Sequence, residues 1–240
     1  MSPTETRPGA ARWSLPGFMQ GVRLSLPAMF GLAVFSAAFG TLAAQKGLSL
    51  LEATLMSALV YAGASQFVAM EIWGEPLTAS VIATLGLVTL VVNMRFLLMS
   101  ASLRPWLGDL PSWQTYPALA VLVEPVWLIA VRYRAEGGSD AAIYLGAGVA
   151  MWAVWVAATV PGYLLGALIG DIKRFGLDLV LPAFFVVMLV PMWRGPVAAV
   201  PWAVAGSTAL AVAALVPGWW FIIAGAIAGS ITGGLIDDGK

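Results

Sequence analysis

The chain has 240 residues, of which 60% are hydrophobic and only 10% are charged, with a formal net charge of zero. This composition, together with a mean hydropathy of +0.91, excludes a soluble globular domain and predicts an integral membrane protein. The sequence contains no Cys and no His, which excludes disulfides, metal sites with thiolate or imidazole ligands, and catalysis by either residue type.

The N-terminal residues 1–20 are polar and rich in proline, and they lack the apolar core of a signal peptide. We expect them to form a cytoplasmic tail, followed by a transmembrane domain over residues 21–236 and a short C-terminal tail over residues 237–240. With eight spans, a cytoplasmic N-terminus places more Lys and Arg residues inside than outside, as the positive-inside rule requires.

Apolar blocks without a charged residue follow, and each is long enough to cross a bilayer as a helix. They cover residues 24–44, 53–70, 76–94, 141–170 and 195–236. The last block has room for two helices joined by a turn at Pro217-Gly218. Weaker segments at residues 116–131 and 179–193 complete an all-α polytopic bundle of seven or eight transmembrane helices. If a weak segment is re-entrant instead, every later loop changes sides.

Proline residues within or beside these blocks predict that some helices are kinked or broken, because each proline removes a backbone donor. They are Pro27, Pro125, Pro161, Pro182 and Pro201. A short echo between residues 47–53 and 176–183 hints at an internal repeat. Transporters are often built from repeated halves, with the substrate site between them.

The second apolar block carries small and polar residues at its centre. Four polar residues recur at helical spacing and would share one face: Thr54, Ser57, Tyr61 and Ser65. The low helix propensity of Gly63 predicts a local break, which would create a half-helix N-terminus able to bind a carboxylate. The candidate substrate-binding residues here are Gly63, Ala64, Ser65 and Gln66. Close helix packing is the alternative explanation for them.

The third block ends with two further candidates for substrate binding, Asn93 and Arg95. Arg95 shares a helix face with Ser102, whereas Asn93 faces elsewhere. A charge within the membrane is costly unless it is paired or solvated. The sequence leaves four roles open for Arg95: binding a substrate carboxylate, pairing with Glu124, structural anchoring, and snorkelling to the interface.

Glu124 is the acidic residue in the interior of a candidate span, the weak segment at residues 116–131. Intramembrane acids are typically proton carriers, cation ligands or halves of ion pairs. We therefore assign Glu124 to proton coupling or to binding a substrate ammonium group. The alternative is that this segment does not span the membrane and that Glu124 lies in a wet loop.

Two glycine ladders predict helix-packing seams, because a spacing of four residues puts each set on one helix face. They are Gly162, Gly166 and Gly170 in one span, and Gly225, Gly229 and Gly233 in another. The sequence does not decide whether the facing helix belongs to this chain or to another protein.

Three stretches together resemble the AzlC family, the large subunit of bacterial branched-chain amino acid exporters. They are residues 61–67, residues 93–95 with 100–103, and residues 175–184. The resemblance implies a secondary exporter of branched-chain or similar small apolar amino acids in the bacterial cytoplasmic membrane. It also implies a small hydrophobic partner of the AzlD type. Where the family pattern leads us to expect Thr-Asp-Glu, this chain has Val123-Glu124-Pro125, so at least one of two carboxylates is missing.

Other classes fit the sequence less well. A rhomboid-like protease needs a His, and a polyprenyl transferase needs clustered acids for Mg²⁺; we therefore predict no enzyme, no metal and no cofactor. The sequence has no P-loop, so an ion gradient would drive transport, with protons as the candidate ion. The neutral charge gives no indication of a nucleic-acid partner. The alternatives are an exporter of another small amphipathic metabolite, or a channel or scaffold subunit.

Overall fold

The structure, a computed structural model, describes residues 13–73, 76, 78–108, 110–168, 179, 186, 193, 195–217 and 220–237. The regular structure of these residues is helical, which confirms the all-α fold class. In chain order the α-helices are α1 (Leu15–Gln45), α2 (Leu50–Leu59), α3 (Gly63–Ile72), α4 (Ala79–Leu107), α5 (Ser112–Leu119), α6 (Glu124–Ala135), α7 (Ala142–Leu168), α8 (Val200–Leu215) and α9 (Trp220–Asp237).

Among the described residues, four helices are long and apolar enough to cross a membrane: Leu15–Gln45, Ala79–Leu107, Ala142–Leu168 and Val197–Leu215. The last of these includes a 3₁₀ turn, Val197–Ala199, that leads into α8. Leu50–Leu59 and Trp220–Ile236 are apolar but shorter. The predicted span at 179–193 and the echo at 176–183 lie largely outside the described residues, as do most of both tails. The total of seven or eight spans therefore stays a prediction.

The first of two compact units draws on Met1–Gly74 and Asn93–Leu177, and its centre is the packing of α1 on α7. Gly21 of α1 lies against the backbone of Ile143, and Gly40 lies against the backbone of Thr159, so the two helices run parallel. A Cβ atom at either glycine would overlap the facing backbone. Such close approach maximises the dispersion contacts that hold helices together in lipid.

Helix α2 runs antiparallel to α7 and ends beside its middle. The Tyr163 hydroxyl donates to the Leu48 carbonyl at 2.7 Å, just before α2 begins. Nearer the start of α7, the Trp152 indole donates to the Ala58 carbonyl at 3.0 Å, near the end of α2. The C-terminal end of α2 is therefore held well inside the first unit.

Helix α5 begins at the end of the first unit where α1 and α7 also begin. The Trp13 indole, just before α1, donates to Gln114 Oε1 at 3.1 Å. Near the other end of α5, the Ala118 carbonyl accepts from the Tyr144 hydroxyl in the first turn of α7 at 2.8 Å. At about 1.5 Å per residue, α5 is only about 12 Å long, so it enters the bundle without crossing it.

Helix α6 returns to the end where α5 entered. The Tyr133 hydroxyl, near the end of α6, accepts from the Asp140 backbone N–H at 3.2 Å, directly before α7. Arg134 donates to the Gly138 carbonyl at 2.7 Å. Residues 116–131 are therefore not one continuous helix: the turn at residues 120–123 reverses the chain, and α5 and α6 form a hairpin whose two ends lie at the same end of the first unit.

The second unit draws on Glu75–Val92 and Asp178–Lys240, and within it α9 packs antiparallel on α8. A Cβ atom at Gly225 would lie 2.9 Å from the Ala205 carbonyl oxygen, and one at Gly229 would lie 2.8 Å from Ala205 Cβ. At Gly233 it would lie 3.8 Å from Pro201 Cγ. The contact is thus tightest at the centre of this ladder and looser at its end.

Candidate functional site

The second apolar block is interrupted close to the predicted position. Helix α2 ends at Leu59 and α3 begins at Gly63. Between them Tyr61 has a φ of 43°, a left-handed conformation that is uncommon for a residue with a side chain. A Cβ atom at Gly63 would lie 2.7 Å from Trp155 Cη2 and 3.0 Å from Phe35 Cε1. Tertiary packing therefore requires glycine where the new helix starts.

Helix α3 starts without a side-chain cap. The first backbone N–H groups of any helix lack intrahelical partners, and here the N-cap residue Ala62 provides no side-chain hydrogen bond to them. The Ser65 hydroxyl donates to the Ala62 carbonyl at 2.9 Å and accepts from Asn93 Nδ2 at 3.3 Å. Two of the predicted residues, far apart in sequence, thus meet at the start of α3.

Gln66, in the same turn of α3, is completely buried. Neither its Nε2 nor its Oε1 atom has a hydrogen-bond partner in the described part of the chain. Leaving a buried polar group unpaired costs about 1–3 kcal/mol, and an amide can both donate and accept. Gln66 therefore destabilises the fold unless its amide binds something else.

An ion pair joins α4 to α6. Arg95 Nη1 contacts Glu124 Oε1, and Glu124 is the first residue of α6. A carboxylate at this position also interacts favourably with the helix dipole. The two side chains are 29% and 16% exposed, so the pair is neither sealed in the core nor free at the surface. Of the roles left open for Arg95, pairing with Glu124 is present, and it lowers the cost of a charge within a span.

A second polar contact connects the same two helices. The Trp127 indole of α6 donates to the Ser102 hydroxyl of α4 at 2.7 Å. Arg95 and Ser102 therefore both face α6, as their spacing of seven residues predicts. Because these contacts advance in the same order along both helices, α4 and α6 run parallel here.

The starts of α3 and α6 have the same design. Both are short helices that follow a break and lack a side-chain cap. A half-helix N-terminus carries a positive potential and unpaired N–H groups, which favour an anion such as a carboxylate.

An aromatic cluster borders the break, and none of its members is more than 5% exposed. It consists of Phe35, Phe39, Tyr61, Phe67 and Trp155. The rings of Phe35 and Phe67 stack with centroids 4.7 Å apart, and the Trp155 ring meets Phe35 edge-on at 5.5 Å. This cluster provides an apolar wall next to the polar start of α3.

Unpaired buried polar atoms are concentrated in this region. Among the described residues, the buried side-chain polar atoms without a hydrogen-bond partner belong to Tyr61, Gln66, Asn93, Arg95 and Trp155, apart from Glu124 Oε1, which is engaged in the ion pair with Arg95. By contrast, the buried hydroxyls of Ser36, Ser57 and Thr159 bond with one another. Since buried polar groups in native proteins are generally satisfied, such a concentration is typical of a site that binds a ligand.

The family model described as AzlC protein matches residues 27–169, more than half of the chain. The chain belongs to the AzlC family. The matched range contains the break before α3, the Arg95–Glu124 pair and the aromatic cluster.

Two relatives of this AzlC-family chain are membrane proteins. The inner membrane protein YgaZ of Escherichia coli strain K12 is 30% identical over 206 residues, which cover 80% of this chain and 78% of YgaZ. An uncharacterized membrane protein of Archaeoglobus fulgidus is 28% identical over 182 residues, covering 74% of this chain and 77% of that protein. No solved structure matches the chain. Family and relatives together support an inner-membrane protein with a role in transport.

The candidate binding residues of this AzlC-family chain lie in one unit. Gly63, Ala64, Ser65 and Gln66 form the first turn of α3, Asn93 and Arg95 lie on α4, and Glu124 starts α6. Their roles in binding stay predictions. The expected polar stripe along the second block is divided by the break: the Thr54 hydroxyl donates to the Leu50 carbonyl of its own helix at 2.7 Å, and Ser57 pairs with Thr159.

Both glycine ladders of the AzlC-family chain face helices of the same chain where they are described. Gly162 lies against Ala37 of α1, and Gly166 lies against Thr41. The second ladder faces α8, as described above. Gly170 lies outside the described residues.

Three aromatic members of the cluster have no counterpart among the sequence candidates: Phe35, Phe39 and Trp155. Aromatic residues in an apolar span are ordinarily packing residues, so no signal in the sequence distinguishes these from others of their type. Three other apolar side chains near the candidate site, Phe67, Met70 and Trp127, behave differently from one another. Phe67 joins the cluster, Met70 is fully buried, and Trp127 instead donates a hydrogen bond to Ser102.

Proposed function

We propose that this chain is a secondary transporter that exports branched-chain or similar small apolar amino acids across the bacterial cytoplasmic membrane. The observation that carries the proposal is the concentration of unpaired buried polar groups around the Arg95–Glu124 pair, beside the aromatic cluster. An apolar amino acid needs donors for its carboxylate, an acceptor for its ammonium group and an apolar wall for its side chain. All three are available where α3, α4 and α6 meet.

In the proposed complex, Arg95 and the N–H groups at the start of α3 bind the substrate carboxylate. Glu124 accepts from the ammonium group, and the amides of Gln66 and Asn93 hydrogen-bond to the polar end of the ligand. Phe67 belongs to the wall that contacts the aliphatic side chain. The break before α3 serves this arrangement, because a continuous helix would offer no free N–H groups at this depth.

Transport by this chain would use an ion gradient and no bound cofactor, with protons as the proposed coupling ion and Glu124 as their carrier. The single carboxylate of Val123-Glu124-Pro125 would have to combine proton coupling with ammonium binding. This departure from the expected pattern also favours a second candidate, an exporter of another small amphipathic metabolite.

We further propose a small hydrophobic AzlD-type subunit as partner, on the strength of family membership. Within the described part of the chain, helix α4 and the Val197–Leu215 helix are largely exposed along their most apolar stretches. These faces offer large apolar areas to lipid or to such a subunit.

The proposal is tested by counterflow of labelled valine, leucine and methionine into proteoliposomes, with lysine as a control. The chain is reconstituted alone and together with the small hydrophobic protein encoded beside it. Saturable exchange of the apolar substrates but not of lysine is expected, and dependence on the second protein would identify it as the partner. A folded preparation that conducts without saturation would instead support a channel.

A further inference from the structure

We propose that the Arg95–Glu124 pair is the ligand-free form of the substrate site, and that a ligand binds by exchanging both partners at once. Its carboxylate replaces Glu124 beside Arg95, and its ammonium group replaces Arg95 beside Glu124. This rests on the proposed function, since it places the substrate between α3, α4 and α6. It adds a rule for specificity: the site accepts zwitterions and rejects ligands that carry only one of the two charges.

The position of the pair allows it to separate. Arg95 lies within the long helix α4, whereas Glu124 is the first residue of α6, directly after the turn of the α5–α6 hairpin. A shift of that turn can move the carboxylate without breaking a helix. Both side chains are also partly exposed within the described part of the chain, at 29% and 16%, so the pair is not sealed in the core.

Arg95 has hydrogen-bonding capacity that the ion pair does not use. The guanidinium group has five N–H donors, and its Nη1 atom contacts Glu124. Its Nε atom is buried and has no partner among the described residues. A guanidinium with free donors favours a second, forked contact with a carboxylate.

Electrostatics then selects the ligand. Separating two opposite charges in a membrane interior is costly, because each remains unpaired in a low dielectric. A zwitterion restores a partner to both residues, and the summed charge of the site is zero before and after binding. An amine or a carboxylic acid of the same shape satisfies one residue and leaves the other unpaired.

The alternative is that the pair is a fixed link between α4 and α6. The chain provides a matched control, because the Trp127–Ser102 hydrogen bond joins the same two helices without charge. If the pair only linked the two helices, Ser102→Ala would affect ligand binding in the same way as removal of the Arg95–Glu124 ion pair. Under charge exchange, Ser102→Ala leaves ligand selectivity unchanged.

The experiment measures binding of leucine, isoamylamine and 4-methylvalerate to the purified full-length chain in nanodiscs. The last two ligands keep the leucine side chain but lack the carboxylate or the ammonium group, respectively. The wild-type chain is expected to bind leucine at least about tenfold more tightly than either analogue. Arg95→Gln should shift the preference to isoamylamine, and Glu124→Gln should shift it to 4-methylvalerate.

A single neutral variant retains an unpaired charge and can fail to fold. The double variant Arg95→Gln with Glu124→Gln has no such charge. It is expected to fold and to bind leucine no better than the two analogues. If the wild-type chain binds leucine but the double variant retains the preference for it, charge exchange is wrong while the proposed function stands. If the folded wild-type chain binds neither leucine nor another apolar amino acid, the proposed function itself fails, and the exchange with it.

Discussion

At the scale of single residues, buried polar side chains are hydrogen-bonded in one part of the first unit and unpaired in another. The buried hydroxyls of Ser36, Ser57 and Thr159 satisfy one another between α1, α2 and α7. The amide of Gln66 is equally buried but has no partner. Both sets of polar groups lie within apolar helices, so their difference in pairing separates a structural contact from a candidate binding contact.

Replacing Gln66 by Leu is expected to weaken leucine binding while maintaining or increasing thermal stability. The substitution removes a buried unpaired amide, whose burial costs about 1–3 kcal/mol, and it removes hydrogen bonds worth about tenfold in affinity. Binding and the midpoint of thermal unfolding are measured on the same preparation. Unchanged leucine affinity would show that Gln66 contributes to packing and not to ligand binding.

Thr159→Val is the matched control for Gln66→Leu. It conserves shape but removes the hydroxyl that contacts those of Ser36 and Ser57, so it should destabilise the fold by about 1–3 kcal/mol. Leucine affinity should not change.

Glu124→Gln is expected to abolish transport or to uncouple it from the pH gradient, because the amide can neither carry a proton nor form the ion pair with Arg95. The measurement is leucine flux into proteoliposomes with and without a proton gradient. Full flux with an unchanged response to the gradient would remove Glu124 from coupling.

At the scale of elements, glycine sets how closely α1 approaches α7, and short helices create the site. The parallel helices α1 and α7 pack closely against each other. Against this pair lie α2, which stops halfway, and the α5–α6 hairpin, which turns back. Helix termini consequently lie inside the unit, where unbroken helices would place only side chains.

Gly40→Ala is expected to lower stability by about 1–3 kcal/mol, because its Cβ would overlap the Thr159 backbone. Gly31→Ala in the same helix is the control. A Cβ there meets nothing within 4 Å, and Ala favours a helix by up to about 1 kcal/mol over Gly. Thermal unfolding of the two variants is compared, and an equal loss in both would contradict the packing explanation.

The hairpin predicts that both ends of the α5–α6 segment are reached from one side of the membrane. The chain contains no Cys, so in single-Cys variants the maleimide has no other cysteine of this chain to label. Trp113→Cys and Glu136→Cys should react with an impermeant maleimide from the same side, and Lys46→Cys from the other. Labelling of Trp113→Cys and Glu136→Cys from opposite sides would show that the α5–α6 segment crosses the membrane, and it would contradict the hairpin.

At the scale of the whole molecule, the hairpin changes the distribution of charge across the membrane. A count of eight spans puts Arg104 outside and Arg134 inside. In the structure Arg134 stacks over Trp106, two residues from Arg104, with its guanidinium carbon 5.6 Å from the ring centroid. Arg104 and Arg134 therefore share the end where α1 begins, and Lys46 lies at the other end of α1.

We therefore expect that end of the first unit to be cytoplasmic, in accordance with the positive-inside rule. In intact cells Lys46→Cys should be labelled by the impermeant reagent, whereas Glu136→Cys should be labelled only after permeabilisation. The reverse pattern would invert the orientation of the chain.

Much of this protein could be predicted from its sequence. Hydropathy predicts a helical membrane protein, Gly63 predicts a break, and the residue types at Ser65, Gln66, Arg95 and Glu124 mark where polar chemistry lies. These predictions succeed because transfer to lipid and helix propensity depend on residues close together in the chain.

Only the tertiary structure decided which groups meet. The pairing of Arg95 with Glu124, the return of α6 to the side where α5 entered, and the placing of Trp155 over Gly63 all join residues far apart in sequence. The composition of an apolar segment does not show whether a turn within it reverses the chain. Whether a buried amide has a hydrogen-bond partner depends on neighbours that are distant in sequence. Packing between distant helices therefore decides these features, whereas local composition determines the class of protein.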